Sequence, residues 1–153
     1  MISTTDMTYQ TNINLLQGII TSIKNVVPLH LTNSSPQITE QSIFLDYGVS
    51  IKITGDIKGK LVMTGDISVF SAIGQSMSGM SLEGEMLDSF IGELGNMVAG
   101  SFSTIIVEYG MPTNITTPFV IKESTVLTEF DKGMQVPVSF GNTGDMDIYL
   151  LID

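Results

Sequence analysis

The chain has 153 residues, 42% of them hydrophobic, which matches one domain of ordinary size with enough apolar material for a full core. Its 16 acidic residues stand against 6 lysines and no arginine, a formal net charge of −10, which argues against nucleic acid or an anionic membrane surface as partner, since both are held by basic side chains. With no cysteine there is no material for a disulfide framework or a thiolate metal site, and with a single histidine, His30, a zinc site or a Ser-His-Asp arrangement has little to build on.

Ile13, Leu16, Ile20, Ile23 and Val27 recur at steps of three and four, predicting an amphipathic helix from near Asn12 to near Pro28. His30, just past its end, reads as a surface or capping residue. Thr32 to Thr39, with Asn33, Ser34, Ser35 and Pro36, reads as a polar loop. From Ile43 the period changes to two: Ile43, Leu45, Tyr47, Val49, Ile51 and Ile53 alternate with Phe44, Asp46, Gly48, Ser50 and Lys52, predicting one half-buried strand. Thr54-Gly55-Asp56 supplies a turn, and Ile57, Leu61 and Met63 resume the alternation against Lys58, Lys60 and Val62, which makes a hairpin. Asp66 then reads as the N-cap of a helix carrying Val69, Ile73 and Met77.

A central helix is expected from about Leu82 towards Glu108, ended by Gly110-Met-Pro112. Four strands follow, at Ile115 to Lys122, Val126 to Phe130, Gln135 to Phe140 and Met146 to Ile152, with Asp131-Lys-Gly133 and Gly141 to Asp145 as hairpin turns. Pro118 and Pro137 point to edges, strand starts or bulges. Ile148, Leu150 and Ile152 would leave a pairing edge at the C-terminus unless something covers it. The pattern as a whole predicts an α+β fold over residues 1–153, with helices packed on a largely antiparallel sheet. No apolar run approaches the roughly 20 residues of a membrane span, and Met1-Ile-Ser-Thr-Thr-Asp6 lacks the features of a signal peptide, so the expected location is the cytoplasm.

Chemistry concentrates in Ser89-Phe-Ile-Gly-Glu93-Leu-Gly-Asn96-Met-Val-Ala-Gly100. At about 100° per residue, Leu87, Ile91, Leu94, Val98, Phe102 and Ile105 share one side of the helix, and Ser89, Glu93, Asn96 and Gly100 gather on the other. Gly92, Gly95 and Gly100 each cost roughly 1 kcal/mol against Ala in a helix interior. Either they lower the surface so that another backbone can come close, or they allow tight packing inside the domain. Met77, Met80, Met86 and Met97, grouped around this helix, read as core filling in preference to an adaptable binding surface. Gly74 to Gly84 has no Gly-Lys-Ser/Thr, so nucleotide binding has no support.

The order Asp/Ser-x-x-x-Glu-x-x-Asn-x-x-x-Gly resembles the signature of the chemotaxis phosphatases of the CheX, CheC and FliY type. Ser89, Glu93, Asn96 and Gly100 fill its four positions, and Pro118 resembles the proline that commonly opens the strand after the motif helix. The first helix has no Glu-x-x-Asn pair, so the chain is similar to the single-motif CheX form. The resemblance implies hydrolysis of the aspartyl phosphate of a CheY-like response regulator. It implies that Asn96 places the attacking water, that Glu93 contacts the receiver's active-site lysine, and that Ser89, Gly92 and Gly100 let the helix insert closely. It further implies a homodimer joined partly through C-terminal strands, with no metal or cofactor of its own because the Mg²⁺ belongs to the receiver. The chemistry suits such a pair of residues: an acyl phosphate is already reactive, and what remains is to align a water and stabilise charge. Two other classes stay open: a flagellar-switch-like module that binds a phosphorylated regulator without hydrolysing it, and an assembly protein using its strand-rich C-terminus.

Overall fold

The structure, a computed structural model, describes residues 4–39 and 42–153. Its first helix, α1 (Thr4–Val26), presents Leu15, Ile19 and Ile23 to the core, with Val27 continuing the row just past its end. Leu16 and Ile20 lie at the margin of that face, so the buried row runs in steps of four, slightly rotated from the stripe read in the sequence. Asp66 stands at the N-cap of α2 (Ile67–Ser78), where its carbonyl accepts the Val69 N–H at 3.0 Å and its side chain makes no capping bond. The long helix α3 (Gly84–Val107) packs against both other helices and against the sheet. Although α3 has the length and hydropathy of a membrane span, contrary to the sequence expectation, its apolar side is covered by the rest of the fold.

The strands are β1 (Thr32–Asn33), β2 (Gln37–Thr39), β3 (Ile43–Leu45), β4 (Gly48–Gly55), β5 (Gly59–Gly65), β6 (Thr113–Ile115), β7 (Phe119–Ile121), β8 (Thr125–Leu127), β9 (Lys132–Ser139) and β10 (Asp145–Ile152). Eight of them form a sheet in the order β1-β9-β10-β5-β4-β6, with β2 also on β9 and β7 also on β4; β3 and β8 form a separate ribbon. The pairings are antiparallel throughout, as the α+β fold class requires. Val49, Ile51, Ile53, Leu61, Met63, Val136, Ile148 and Leu150 face the helices and join Ile91, Leu94, Val98 and Phe102 of α3 in the main core. The opposite face is also covered: Val62 and Leu151 meet Ile43 and Leu45 of the ribbon, with Ile121 of β7, in a second cluster.

That second cluster corrects several sequence expectations. The strand expected from Ile43 to Ile53 divides at Asp46 and Tyr47, where Ser124 Oγ donates to Asp46 Oδ1 at 2.7 Å and Thr64 Oγ1 donates to the Tyr47 carbonyl at 2.8 Å. Ile43 and Leu45 therefore serve a different core from Val49 and Ile51, which an unbroken alternation cannot reveal. Val62, expected on the open face with the lysines, is buried for the same reason. The hairpin expected at Asp131-Lys-Gly133 is absent: β8 pairs with β3, and Lys132 and Gly133 already belong to β9.

Thr32 to Thr39 is not a plain loop but supplies β1 and β2 along β9, both exposed and so without apolar alternation to announce them. Pro137 sits opposite the break between these two strands. Its carbonyl accepts the Ser34 N–H at 3.0 Å, and since N–H and C=O of a β residue point to the same side, its missing donor falls where no strand needs one. The expected C-terminal edge does not exist either, because β10 lies between β5 and β9 from Met146 to Ile152. Of the methionines, Met63, Met134 and Met146 fill the core, whereas Met80 and Met86 are exposed, against the expectation of core filling.

Candidate active site

Helix α3 divides its faces nearly as the periodicity predicts. Leu87, Ile91, Leu94, Val98 and Phe102 are buried, and Ile106 takes the last inward position in place of Ile105. Ser89 and Glu93 are exposed on the other side, with Asn96 and Gly100 half-buried there. Ser89, Gly92, Glu93 and Asn96 form one wall of an open groove of about 590 Å³, whose other wall is Ile115 to Pro118, the link from β6 to β7. Gly100 lies one turn beyond the groove and does not line it.

The second wall is fixed to the scaffold. The Thr116 N–H and Oγ1 both donate to the Lys52 carbonyl of β4, at 3.0 and 3.4 Å. At the end of β6 away from the groove, Ser103 Oγ of α3 is 3.0 Å from the Thr113 carbonyl and 2.7 Å from Thr113 Oγ1. The link is thus tied to a strand and a helix that both belong to the core, which anchors the second wall.

The glycines of α3 separate into two kinds. A Cβ on Gly95 would stand 2.8 Å from both Ile51 Cδ1 and Val49 Cγ1, so this glycine is required for α3 to lie on β4. A Cβ on Gly92 would meet Val120 Cγ2 at 3.6 Å and Pro118 Cγ at 3.8 Å, and one on Gly100 would meet Ile115 Cδ1 at 3.9 Å, all ordinary contacts. Packing explains Gly95; it does not explain Gly92 or Gly100.

Among the described residues, Glu93 forms no ion pair and neither Glu93 nor Asn96 has a side-chain hydrogen bond, so both polar ends are free for a partner. Beside them, Asp88 Oδ2 holds Lys122 Nζ of the segment after β7 at 3.4 Å. Burial, and then the Asp88 carboxylate, push the Tyr47 phenol above its ordinary pKa. Two further depressions, of about 380 and 310 Å³, share Thr64, Gly65, Asp145 and Asp147 at the far end of β5 and β10. Among the described residues no three His, Asp or Glu side chains converge as a metal site.

Four of the five residues singled out in the sequence, Ser89, Gly92, Glu93 and Asn96, therefore come together, and Gly100 stands apart. The sequence did not identify the wall formed by Ile115, Thr116 and Thr117, whose position depends on tertiary bonds; Pro118 was the one signal for it. A free carboxylate and a free amide at i and i+3 on a rigid helix can engage a cation on another molecule while the amide donates to and accepts from a water.

The family model described as "Chemotaxis phosphatase CheX" matches residues 47–139, more than half the chain and all of the groove. A curated relative, the CheY-P phosphatase CheX of Thermotoga maritima, is 26% identical over 144 residues, covering 90% of this chain and 92% of the relative. The crystal structure of a chemotaxis protein CheX from Desulfovibrio desulfuricans superposes with a TM-score of 0.77 at 17% identity, over 92% of this chain and 97% of that one. The CheX of a CheX-CheY-BeF3-Mg²⁺ complex from Borrelia burgdorferi does so with a TM-score of 0.68 at 17% identity, over 91% and 95%. These two structural likenesses establish the fold, three helices on a mostly antiparallel sheet.

Proposed function

The chain belongs to the chemotaxis phosphatase CheX family, and we propose that it hydrolyses the aspartyl phosphate of a phosphorylated CheY-like response regulator. The observation that carries this is the placement of Glu93 and Asn96, both without side-chain partners among the described residues, on the wall of one groove. The Thermotoga relative is named for this activity, and the Borrelia relative was crystallised with its CheY.

In this scheme α3 enters the receiver beside the phosphorylated aspartate. Asn96 accepts a hydrogen bond from a water and holds it in line with phosphorus, opposite the departing carboxylate oxygen. An amide suits that task because it orients the water without changing charge, and alignment is the main barrier left for an activated acyl phosphate. Water forms the new P–O bond, the P–O bond to the aspartyl carboxylate breaks, and inorganic phosphate leaves. Glu93 makes a charge-assisted contact with the receiver's active-site lysine and sets the register of docking. Ser89 and Gly92 keep the wall low enough for that approach, and Gly100 does the same one turn on. The Mg²⁺ belongs to the receiver, so the phosphatase needs no metal or cofactor of its own.

The homodimer belongs to the same proposal, although with β10 enclosed it must use another face than the C-terminal edge. The deciding experiment mixes the protein with a phosphorylated CheY-like receiver from the same genome and follows loss of phosphate. Accelerated loss supports the proposal. Binding of the phosphorylated receiver without acceleration would instead identify a docking module.

A further inference from the structure

Two features beside the groove have no task in the reaction above. Lys122 is 62% exposed and is held only by Asp88, itself 29% exposed, at 3.4 Å. Tyr47 Oη is buried and makes no well-formed hydrogen bond among the described residues, while the Asp88 carboxylate lies near enough to raise its pKa both by its charge and as an acceptor. Asp88 is thus shared between two donors, paired with Lys122 at 3.4 Å and only loosely with the Tyr47 hydroxyl.

The pair lies beside the N-terminal end of the groove, outside its lining, and Lys122 lines the adjoining depression of about 480 Å³. Asp88 immediately precedes Ser89, and strand alternation puts Lys122 on the same side as Val120 and Pro118, the two residues under Gly92. Of the other five lysines, Lys52 and Lys60 face each other across β4 and β5, on the side away from α3, Lys58 lies in the turn between those strands, Lys132 donates to Asn12 of α1, and Lys24 stands in the last turn of α1. Lys122 is the lysine paired to α3 beside the groove. The partner in the proposed reaction carries an acyl phosphate with Mg²⁺, and a Mg²⁺ site is built from carboxylates. Its rim is therefore anionic, while this chain carries a formal net charge of −10. A cation beside the groove is what such an approach needs.

Resting on that phosphatase reading, we propose that Lys122 is a docking residue that leaves Asp88 for a carboxylate at the rim of the receiver's phosphorylation site, while Asp88 turns inward to accept the Tyr47 O–H. The exchange leaves no group unmatched: the lysine keeps an anionic partner, the Asp88 carboxylate keeps a donor, and the buried hydroxyl gains a full acceptor in place of a loose one.

The test is steady-state hydrolysis of the phosphorylated receiver over a salt series by wild type, Lys122→Ala, Tyr47→Phe and the double variant, with Lys58→Ala, at the distant β4–β5 turn, as control. Lys122→Ala should raise KM about fivefold at low salt, the scale of an exposed charge pair, and flatten the dependence of KM on salt, with kcat little changed. Tyr47→Phe should raise KM by less, and that increment should vanish in the Lys122→Ala background. A KM and salt dependence for Lys122→Ala equal to those of Lys58→Ala would overturn the docking role. Additive effects of the two substitutions would overturn the exchange at Asp88. Should wild type fail to hydrolyse the phosphate, the phosphatase reading fails first; equilibrium binding of a BeF3-activated receiver then tests docking by itself, supported by weaker binding of Lys122→Ala and overturned by equal binding.

Discussion

A Cβ on Gly95 would stand 2.8 Å from Val49 Cγ1, which means that α3 touches β4 there with no room for a methyl group. One turn towards the N-terminus, Gly92 has room for a methyl group, with Val120 Cγ2 3.6 Å from its own Cβ position, an ordinary contact. The two glycines therefore answer to different demands, one from the fold and one from the groove.

Substituting each with alanine should separate those demands. Gly95→Ala forces α3 away from β4 and should destabilise the protein by about 1–3 kcal/mol, less the gain in helix propensity. Gly92→Ala should raise stability by up to about 1 kcal/mol, yet slow hydrolysis of the receiver's phosphate because its methyl group narrows the groove. Thermal melts and phosphatase assays on the same two proteins check both; full activity in Gly92→Ala would show that the groove does not need the space.

Much of α3 was legible because a long helix repeats its message: five inward residues and four outward ones fix the face by themselves. The Glu93 and Asn96 placement followed from that periodicity, and the four-residue motif added the chemistry. Strands of three residues carry no such redundancy. Ile43 and Leu45 alternate in phase with Val49 and Ile51, and nothing local says that a bend at Asp46 and Tyr47 sends them to another core. The second wall was hidden for a similar reason, since Thr116 takes its place through a bond to Lys52, far away in sequence. Position in the sheet is also non-local: β10 looks like a terminal edge in sequence and lies between β5 and β9 in space.

The enclosed position of β10 changes what Leu150 is expected to do. Leu150 is 0% exposed in the main core, so Leu150→Lys should unfold the chain outright by burying an unpaired charge. Light scattering of the wild type should report about twice the 16.5 kDa chain mass if the homodimer forms. A folded, monomeric Leu150→Lys protein beside a dimeric wild type would instead place that residue in the interface and contradict the sheet order.

Alkaline stability should depend on two tyrosines. Burial pushes both the Tyr47 and Tyr149 phenols above the ordinary value of 10.0, with Asp88 and Asp147 respectively adding to the effect. Above that value the unfolded chain releases these protons while the folded chain retains them. Stability is therefore fully present below about pH 10 and declines as pH rises through the folded values. Melting temperatures measured from pH 8 to 11 should fall more steeply for wild type than for Tyr47→Phe/Tyr149→Phe. Identical slopes would mean that neither phenol is perturbed by the fold.

The sharpest separation of positioning from folding lies at Asn96 and Glu93. Neither side chain is bonded within the described residues, and both stand on the outward face of a helix, so replacement by alanine, the best helix former, should not lower the melting temperature. Activity should nevertheless fall on the order of 10²-fold or more in Asn96→Ala, because the water loses its alignment while the receiver still docks. Glu93→Ala should weaken docking as well as turnover, since it removes a charged contact to the partner. Receiver binding measured beside turnover distinguishes the two: Asn96→Ala should bind nearly as wild type does, and Glu93→Ala should not. If Glu93→Ala/Asn96→Ala hydrolyses the phosphate as fast as wild type, the chemistry lies elsewhere. If each single substitution unfolds the chain, the pair is structural, and the groove has lost the two residues on which its function was argued.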